Sequence, residues 1–190
     1  MNQKNKLSVQ SMVLCALFAA LLCVLGPVSI PIGPVPVTFH TFIVSLVGYI
    51  LGSGYGAIST IIYLVIGMIG VPVFSGGTAG VAHIAGSTGG YLYGFIFLAL
   101  LCGIRAFTKK QNTAVSYVIL LLQGIVGLLL VYVLGTIQFC LVTKNTVWQA
   151  LSVCVIPFMA KDIISIFVAC VLAKAIKRAL NSAGISLMKA

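Results

Sequence analysis

The span from Leu7 to Ile104 contains no aspartate, glutamate, lysine or arginine. One membrane-spanning helix needs about 20 apolar residues, so this span is long enough for several helices. Composition agrees, because 61% of the 190 residues are hydrophobic and only 6% are charged, which is typical of integral membrane proteins. We therefore expect an all-α integral membrane protein with about six crossings and no room for a soluble catalytic domain.

Glycine, proline and charged residues divide the sequence into six predicted transmembrane helices. Four prolines between Pro27 and Pro36 predict an extended connection, since proline cannot continue a helix. The GSGYG segment at 52–56 predicts a tight turn, and Pro157 interrupts the last helix. The predicted helices, in a single domain spanning 1–190, cover approximately 9–25, 38–51, 57–69, 89–107, 114–141 and 148–180.

The net charge of +10 raises the possibility of nucleic-acid binding, but the positions of the basic residues argue against it. They flank the apolar segments, as the positive-inside rule predicts for a multi-pass protein of the cell membrane with both termini in the cytoplasm. Only Lys144 falls in an outer loop and only Lys161 lies within a helix. The nine basic residues assigned to the cytoplasmic side are Lys4, Lys6, Arg105, Lys109, Lys110, Lys174, Lys177, Arg178 and Lys189.

The segment from Gly67 to Phe95 is apolar but contains nine of the twenty glycines. Each glycine inside a helix costs about 1 kcal/mol relative to alanine, so the segment is not one uninterrupted helix. It predicts a helix end, a structured outer loop between the third and fourth helices, and the start of the fourth helix. The alternative is a merely flexible outer loop.

Asp162 is the only acidic residue. A carboxylate within a membrane helix usually faces the bundle interior or a cavity, so Asp162 is the first candidate for ligand binding. Neighbours on a helix do not face each other, so we expect Lys161 to be a poor partner for it and a tyrosine or histidine to be the structural alternative. Lys161 and Ser165, four residues apart, share a helix face.

Other polar residues are weaker candidates. His40 and His83 lie in the same outer half and are each better explained as structural histidines. Tyr91 is either a ligand contact or an interface anchor. The Thr88-Gly89-Gly90 helix start offers N–H groups that suit an anion. The six cysteines form no CxxC pair and fit buried free thiols, so neither a metal site nor a cofactor is expected.

Enzyme classes are excluded by the shortage of catalytic groups. One carboxylate cannot form an aspartyl dyad, a carboxylate metal site or a glycosidase pair. The sequence also lacks a Walker phosphate loop and a nucleophile elbow. Binding or transport is what the composition favours.

Four motifs resemble the BioY family, the biotin-binding S components of energy-coupling factor (ECF) transporters. They are IPIGPVPVTFHTF, GYILGSGYGAISTIIYLVIGMIGVPVFSGG, GSTGGYLYGF and the stretch from Pro157 and Phe158 to Asp162. The resemblance implies a six-helix membrane fold and capture of biotin from outside. It also implies coupling to a module of one transmembrane T component and two ATPases. The Ala16-x-x-x-Ala20 pattern on the first helix resembles the surface by which S components pack against the T component.

The resemblance makes Asp162 the acceptor for the ureido N–H groups of biotin, beneath a lid formed by the backbone from Gly76 to Thr88. Lys161 or the helix start at Gly89 would meet the ligand carboxylate. Family members usually carry a lysine where this chain has Ser165, and Lys161, on the same face, is a candidate replacement. The full set of predicted ligand-binding residues is Asp162, Lys161, Ser165, His40, Phe74, Gly76, Gly77, Thr78, Thr88, Gly89 and Tyr91.

Three alternatives remain at this point. The chain could be an S component for a related heterocyclic vitamin, because the departures at Lys161 and Ser165 affect the site. It could be a stand-alone proton-linked carrier or small channel that protonates Asp162. It could also be a structural membrane subunit that binds no small molecule.

Overall fold

A computed structural model describes residues 9–31, 35–104 and 113–182. Eight α-helices, a short hairpin and one 3-10 turn form this part of the chain. In chain order they are α1 (Val9–Leu25), β1 (Ser29–Ile30), β2 (Val37–Thr38), α2 (His40–Leu51), α3 (Ser53–Met68), the 3-10 turn (Ser75–Gly77), α4 (Val81–Ala85), α5 (Gly89–Gly103), α6 (Thr113–Thr143), α7 (Val147–Cys154) and α8 (Ile156–Ser182).

The largest differences from the predicted bounds are at α3 and at the last helix, whereas α2 and α6 differ by one or two residues at their ends. The turn expected at 52–56 is wrong, because Gly52 alone, with φ of +84°, reverses the chain and α3 begins at Ser53. The predicted last helix is two helices, and the break falls at Val155 rather than at Pro157. Pro157 instead occupies the first turn of α8, where its missing N–H removes no helical hydrogen bond. Residues 105–107 of the predicted fourth helix lie outside the described residues.

The proline-containing connection is extended, as predicted, and it forms a small antiparallel hairpin. Ser29 pairs with Thr38 and Ile30 pairs with Val37. The hairpin ends at Thr38, two residues before the first residue of α2.

Helix α5 lies at the centre of the bundle and packs against α2, α3, α4 and α6. Its Gly90 and Gly94, four residues apart, face the backbone of α6 so closely that a Cβ on either would overlap it. Gly48 of α2 likewise lies against the Ala99 backbone of α5. Small residues at such contacts are what membrane helices use to approach each other.

Apolar side chains also cover the outward-facing surfaces. The helices α6 and α8 contain spans long and apolar enough to cross a membrane, Val115–Thr143 and Ile156–Ala179, and four further apolar helices have 10–17 residues. On α1, one face packs into the bundle through Cys15, Ala19 and Leu22, whereas Ala16 and Ala20 lie on the exposed face.

The glycine-rich segment after α3 is a structured loop, as predicted. Phe74 is fully buried, and its ring occupies the space where a Cβ on Gly67 would lie. The backbone N–H of Gly80 donates to the Gly67 carbonyl at 2.7 Å, and that of Gly76 donates to the Pro27 carbonyl at 3.2 Å. These contacts tie the loop to α3 and to the end of α1. The glycines at 70, 76, 77 and 80 all adopt positive φ, which L-residues with a side chain rarely adopt.

Candidate functional site

A cavity of about 110 Å³ lies beneath the glycine-rich loop, between the hairpin, α5, α6 and the α7–α8 break. Its wall combines apolar and polar side chains, as small-molecule sites do. The apolar part is formed by Val35, Pro36, Leu92, Phe95, Val131, Cys154 and Phe158. The polar part is formed by Thr38, His40, Thr41, Ser75, His83, Thr88, Tyr91, Tyr132, Lys161 and Asp162.

Asp162 is only 4% exposed and lies at the floor of this cavity. The Tyr132 hydroxyl donates a hydrogen bond to its Oδ2 at 2.8 Å. Lys161 Nζ lies 2.6 Å from Oδ1, but the geometry of this ion pair is not that of a hydrogen bond, so Oδ1 has no hydrogen-bond donor among the described residues. The carboxylate is therefore hydrogen-bonded at Oδ2 and ion-paired at Oδ1, and Oδ1 retains lone-pair capacity for a further donor.

The expectation that Lys161 is a poor partner for Asp162 is wrong. Successive residues on a helix point in different directions, but the lysine side chain has four methylenes and can curve back to its neighbour's carboxylate. The Lys161 ammonium also donates to the Thr38 carbonyl at 2.8 Å. Lys161 thus connects the start of α8 to the hairpin across the mouth of the cavity.

Two further polar atoms on the cavity wall lack partners. The Ser75 and Tyr91 hydroxyl oxygens are buried and, like Asp162 Oδ1, make no hydrogen bond within the described residues. Buried polar groups are normally paired, and leaving one unpaired costs about 1–3 kcal/mol. Two hydroxyl groups without hydrogen bonds in the described part of the chain, beside a carboxylate oxygen that has only an ion pair, indicate a site that is completed by a ligand or by water.

His83 connects the two ends of the loop that covers the cavity. The Thr78 hydroxyl donates to the Ser75 carbonyl at 2.9 Å, so His83 Nδ1–H is the donor in the 3.1 Å contact with Thr78 Oγ1. His83 Nε2 then accepts from the Thr88 hydroxyl at 3.5 Å. Burial lowers the pKa of His83, which favours the neutral ring that these roles require.

His40 lies on the cavity wall, but its contacts are those of a structural histidine. It is 2% exposed, and its ring stacks on Phe95 with 5.4 Å between centroids. Its Nε2 lies 2.6 Å from the Tyr63 hydroxyl, which itself donates to the Val73 carbonyl at 3.2 Å. His40 Nε2–H is therefore the donor to Tyr63.

Of the predicted ligand-binding residues, five lie on the cavity wall, namely Asp162, Lys161, His40, Thr88 and Tyr91. Phe74 lies behind His83, on whose ring it stacks at 5.2 Å. Gly89 is packed against the Ile84 carbonyl, and its N–H donates to Gly86 at 3.2 Å, so it is not free for an anion. The residues absent from the wall are Phe74, Gly76, Gly77, Thr78, Gly89 and Ser165.

Sequence reasoning missed several wall residues. Tyr132 is one of seven tyrosines in the chain, and nothing near it in sequence marks it as the partner of Asp162. Ser75 adjoins the predicted loop glycines, and Phe158 follows Pro157, so the quoted motifs contained them without indicating a role. Among the described residues, no cluster of three or more His, Cys, Asp or Glu side chains could hold a metal ion.

A solved structure has a similar fold. The crystal structure of the S-component for biotin from an ECF-type ABC transporter matches with a TM-score of 0.80 and 28% sequence identity, covering 93% of this chain and 95% of that one. This likeness confirms the all-α membrane fold of the S-component type that the sequence predicts.

Curated relatives match over most of their length. The biotin transporter BioY of Thermotoga maritima is 35% identical over 170 residues, which is 90% of this chain and 97% of that protein. The biotin transporter BioY2 of Lactococcus lactis subsp. cremoris is 37% identical over 171 residues, which is 90% of this chain and 92% of that protein. The model of the BioY family matches residues 1–182. With nearly the whole chain covered by that match, this multi-pass membrane protein belongs to the BioY family.

Proposed function

We propose that this chain binds biotin in the cavity above Asp162 and serves as the substrate-binding component of an ECF-type vitamin importer. The observation that carries the proposal is Asp162, a buried carboxylate on the cavity wall. Within the part of the chain that the structure describes, its Oδ1 is contacted only by the flexible Lys161 ammonium, which ligand N–H donors can displace. The ureido ring of biotin carries two N–H donors, and hydrogen bonds from such donors to an ionised carboxylate are stronger than those between neutral groups. The relatives that match this chain are named as biotin transporters.

The rest of the wall fits the other parts of biotin. Phe95, Leu92 and Phe158 offer apolar surface for the fused thiophane ring. The unpaired Tyr91 hydroxyl is a donor for the ureido carbonyl oxygen. Lys161 and Ser75 line the side of the cavity formed by the hairpin and the loop, where they can meet the ligand carboxylate. Lys161 is preferred to Gly89 for this role because the Gly89 N–H is already bonded.

Ligand binding must rearrange the contacts of Lys161. The cavity of about 110 Å³ is smaller than the roughly 300–1,000 Å³ of typical ligand pockets. The Lys161 ammonium occupies the position beside Asp162 Oδ1. A ureido N–H at Oδ1 and a ligand carboxylate at the ammonium would replace both halves of this ion pair. The exchange leaves the carboxylate with charge-assisted hydrogen bonds and pairs the ammonium with the ligand carboxylate, so neither charged group is left without a partner.

The orientation of the chain in the membrane and the energy source for import are further parts of the proposal. We place both termini in the cytoplasm and the cavity on the outer side, because this arrangement puts nine of the eleven basic residues inside. The chain has no phosphate-binding loop, so ATP-driven import requires the T component and the two ATPases of an ECF module. The exposed small residues Ala16 and Ala20 are our proposed contact with the T component.

Titration calorimetry with purified protein tests the ligand assignment. Asp162→Asn retains the size of the side chain but removes its charge and half of its acceptor capacity, so we expect biotin to bind about 10- to 100-fold more weakly. Ser165→Ala, on the same helix but away from the cavity wall, is the matched control and should bind like the wild type. Unchanged affinity in both Asp162→Asn and Lys161→Ala would refute the site, and a wild-type protein that binds no biotin would refute the function.

A further inference from the structure

A second concave surface lies on the membrane-facing side of the molecule, between α6 and the α7–α8 segment. It has a volume of about 550 Å³ and an almost entirely apolar wall. On α6 it is formed by Leu129, Val133, Ile137 and Leu141, which recur every four residues and therefore form one helix face. Of its wall residues, only Tyr132 is shared with the biotin cavity. We call this surface the α6–α7 groove.

The length of the α6–α7 groove and its opening toward the membrane suit an acyl chain of a lipid. From Leu129 to Leu141 the groove follows α6 for about 18 Å, at 1.5 Å per residue, which is close to the roughly 15 Å thickness of one bilayer leaflet. The groove is open toward the membrane, because Leu141 and Val147 are 75% and 61% exposed. A groove that faces lipid and has no side chain of its own to fill it gains packing contacts when an acyl chain occupies it.

A positive charge lies at the open end of the groove. Lys144 is exposed and stands three residues from each of two groove residues, Leu141 and Val147. The sequence contains one acidic side chain, Asp162, which is occupied by Tyr132 and Lys161. The sequence has no other acidic side chain to pair with Lys144, so this ammonium is available to an anionic group from outside the chain.

The end of the groove near Lys144 also has a residue type that is typical of the membrane–water interface. Trp148 is 74% exposed in the first turn of α7, and tryptophan is enriched at the level of lipid headgroups. Lys144 therefore lies at headgroup depth while the groove beneath it lies at acyl-chain depth. We propose that the α6–α7 groove binds one acyl chain of an anionic phospholipid whose phosphate pairs with Lys144.

Fluorescence quenching can test this proposal because Trp148 is the chain's single tryptophan. The full protein is reconstituted in phosphatidylcholine bilayers that contain increasing fractions of phosphatidylglycerol or phosphatidylcholine with brominated acyl chains. We expect the anionic lipid to quench Trp148 at about fivefold lower mole fraction than the zwitterionic lipid. The reason is that attraction between one lysine and anionic lipid changes the binding affinity by about this factor. Equal quenching by the two lipids would overturn the proposal.

Two pairs of variants separate headgroup recognition from groove occupancy. Lys144→Gln should abolish the preference for phosphatidylglycerol, whereas Arg178→Gln, near the opposite end of α8, should retain it. Ile137→Phe, which fills the groove, should weaken the preference, whereas Ile164→Phe, on a lipid-facing position outside the groove, should not. Persistence of the preference in Lys144→Gln or in Ile137→Phe would show that Trp148 reports lipid bound elsewhere. Biotin affinity measured for each variant verifies that the fold is intact.

Discussion

The Tyr132 hydroxyl and the Asp162 carboxylate form a side-chain hydrogen bond of 2.8 Å on the floor of the cavity. Both side chains are buried, at 7% and 4% exposure, so water competes little for either. The bond fixes Oδ2 and thereby directs Oδ1 toward the space above. Tyr132 is thus a positioning residue for the carboxylate as well as part of the wall.

Replacing Tyr132 tests this role. Tyr132→Phe removes the donor to Oδ2, and because a hydrogen bond to a charged group contributes about 1.5–3 kcal/mol, we expect biotin to bind at least about 10-fold more weakly. Tyr93→Phe, on the exposed face of α5, makes the same chemical change away from the cavity and should leave the dissociation constant unchanged. Calorimetric titration gives both values. Equal dissociation constants for biotin in the two variants would show that the hydrogen bond from Tyr132 to Asp162 does not contribute to binding.

At the scale of residues, the sequence predicts charged groups better than their partners. Asp162 was identifiable because it is the only acid in an apolar chain. Its partner Tyr132 lies thirty residues away on another helix, and only the three-dimensional packing of α6 against α8 brings them together. The contact between Lys161 and Asp162 was mispredicted because helix geometry fixes the direction of the Cα–Cβ bond but not the position of the ammonium at the end of a long, flexible side chain.

The glycine-rich loop packs against α3 through the ring of Phe74. Phe74 fills the space beside Gly67, stacks on His83 and meets Tyr63 edge-on with 5.7 Å between ring centroids. The Phe74 ring therefore attaches the loop that covers the cavity to α3, together with the hydrogen bond from the Gly80 N–H to the Gly67 carbonyl. The position of His83 depends on this ring.

Gly67→Ala tests the packing of the Phe74 ring against α3. The new methyl group would overlap the Phe74 ring, so we expect a loss of roughly 1–3 kcal/mol in stability, together with weaker biotin binding as the loop shifts. Gly54→Ala is the matched control on the same helix, since a Cβ there meets nothing within 4 Å. Alanine favours helix over glycine, so Gly54→Ala should unfold at the same or a higher temperature than the wild type. Thermal unfolding followed by size-exclusion chromatography measures both, and equal midpoints would contradict the packing argument.

At the scale of elements, apolar runs predict the helices, and glycine and proline predict their ends less reliably. The predicted and observed bounds of α1 are the same, 9–25. The start of α3 was misplaced because the GSGYG segment was interpreted as a turn, although only Gly52 adopts positive φ there. The unfavourable helix propensity of Gly54 and Gly56 is overcome by packing, since Gly56 lies against Gly48 of α2.

For the whole molecule, one surface remains to be explained, the exposed face of α1. The buried face of this helix contains Cys15, Ala19 and Leu22, so Ala16 and Ala20 point away from the bundle. Two small residues four apart allow a second helix to approach closely. The backbone of a partner helix can pack directly against these two small residues, which favours a protein contact at this face.

Enlarging these two residues should separate ligand binding from assembly. In Ala16→Leu/Ala20→Leu, we expect biotin affinity to remain that of the wild type, because α1 contributes no residue to the cavity wall. Recovery of the T component and ATPases in co-purification should fall by at least about 10-fold, since side-chain bulk blocks the close helix approach. Ala175→Leu, at an exposed position of α8, controls for added surface bulk and should co-purify normally. Undiminished recovery with the double variant would move the partner contact to another face, and a parallel loss of biotin binding would point to a damaged fold rather than a lost interface.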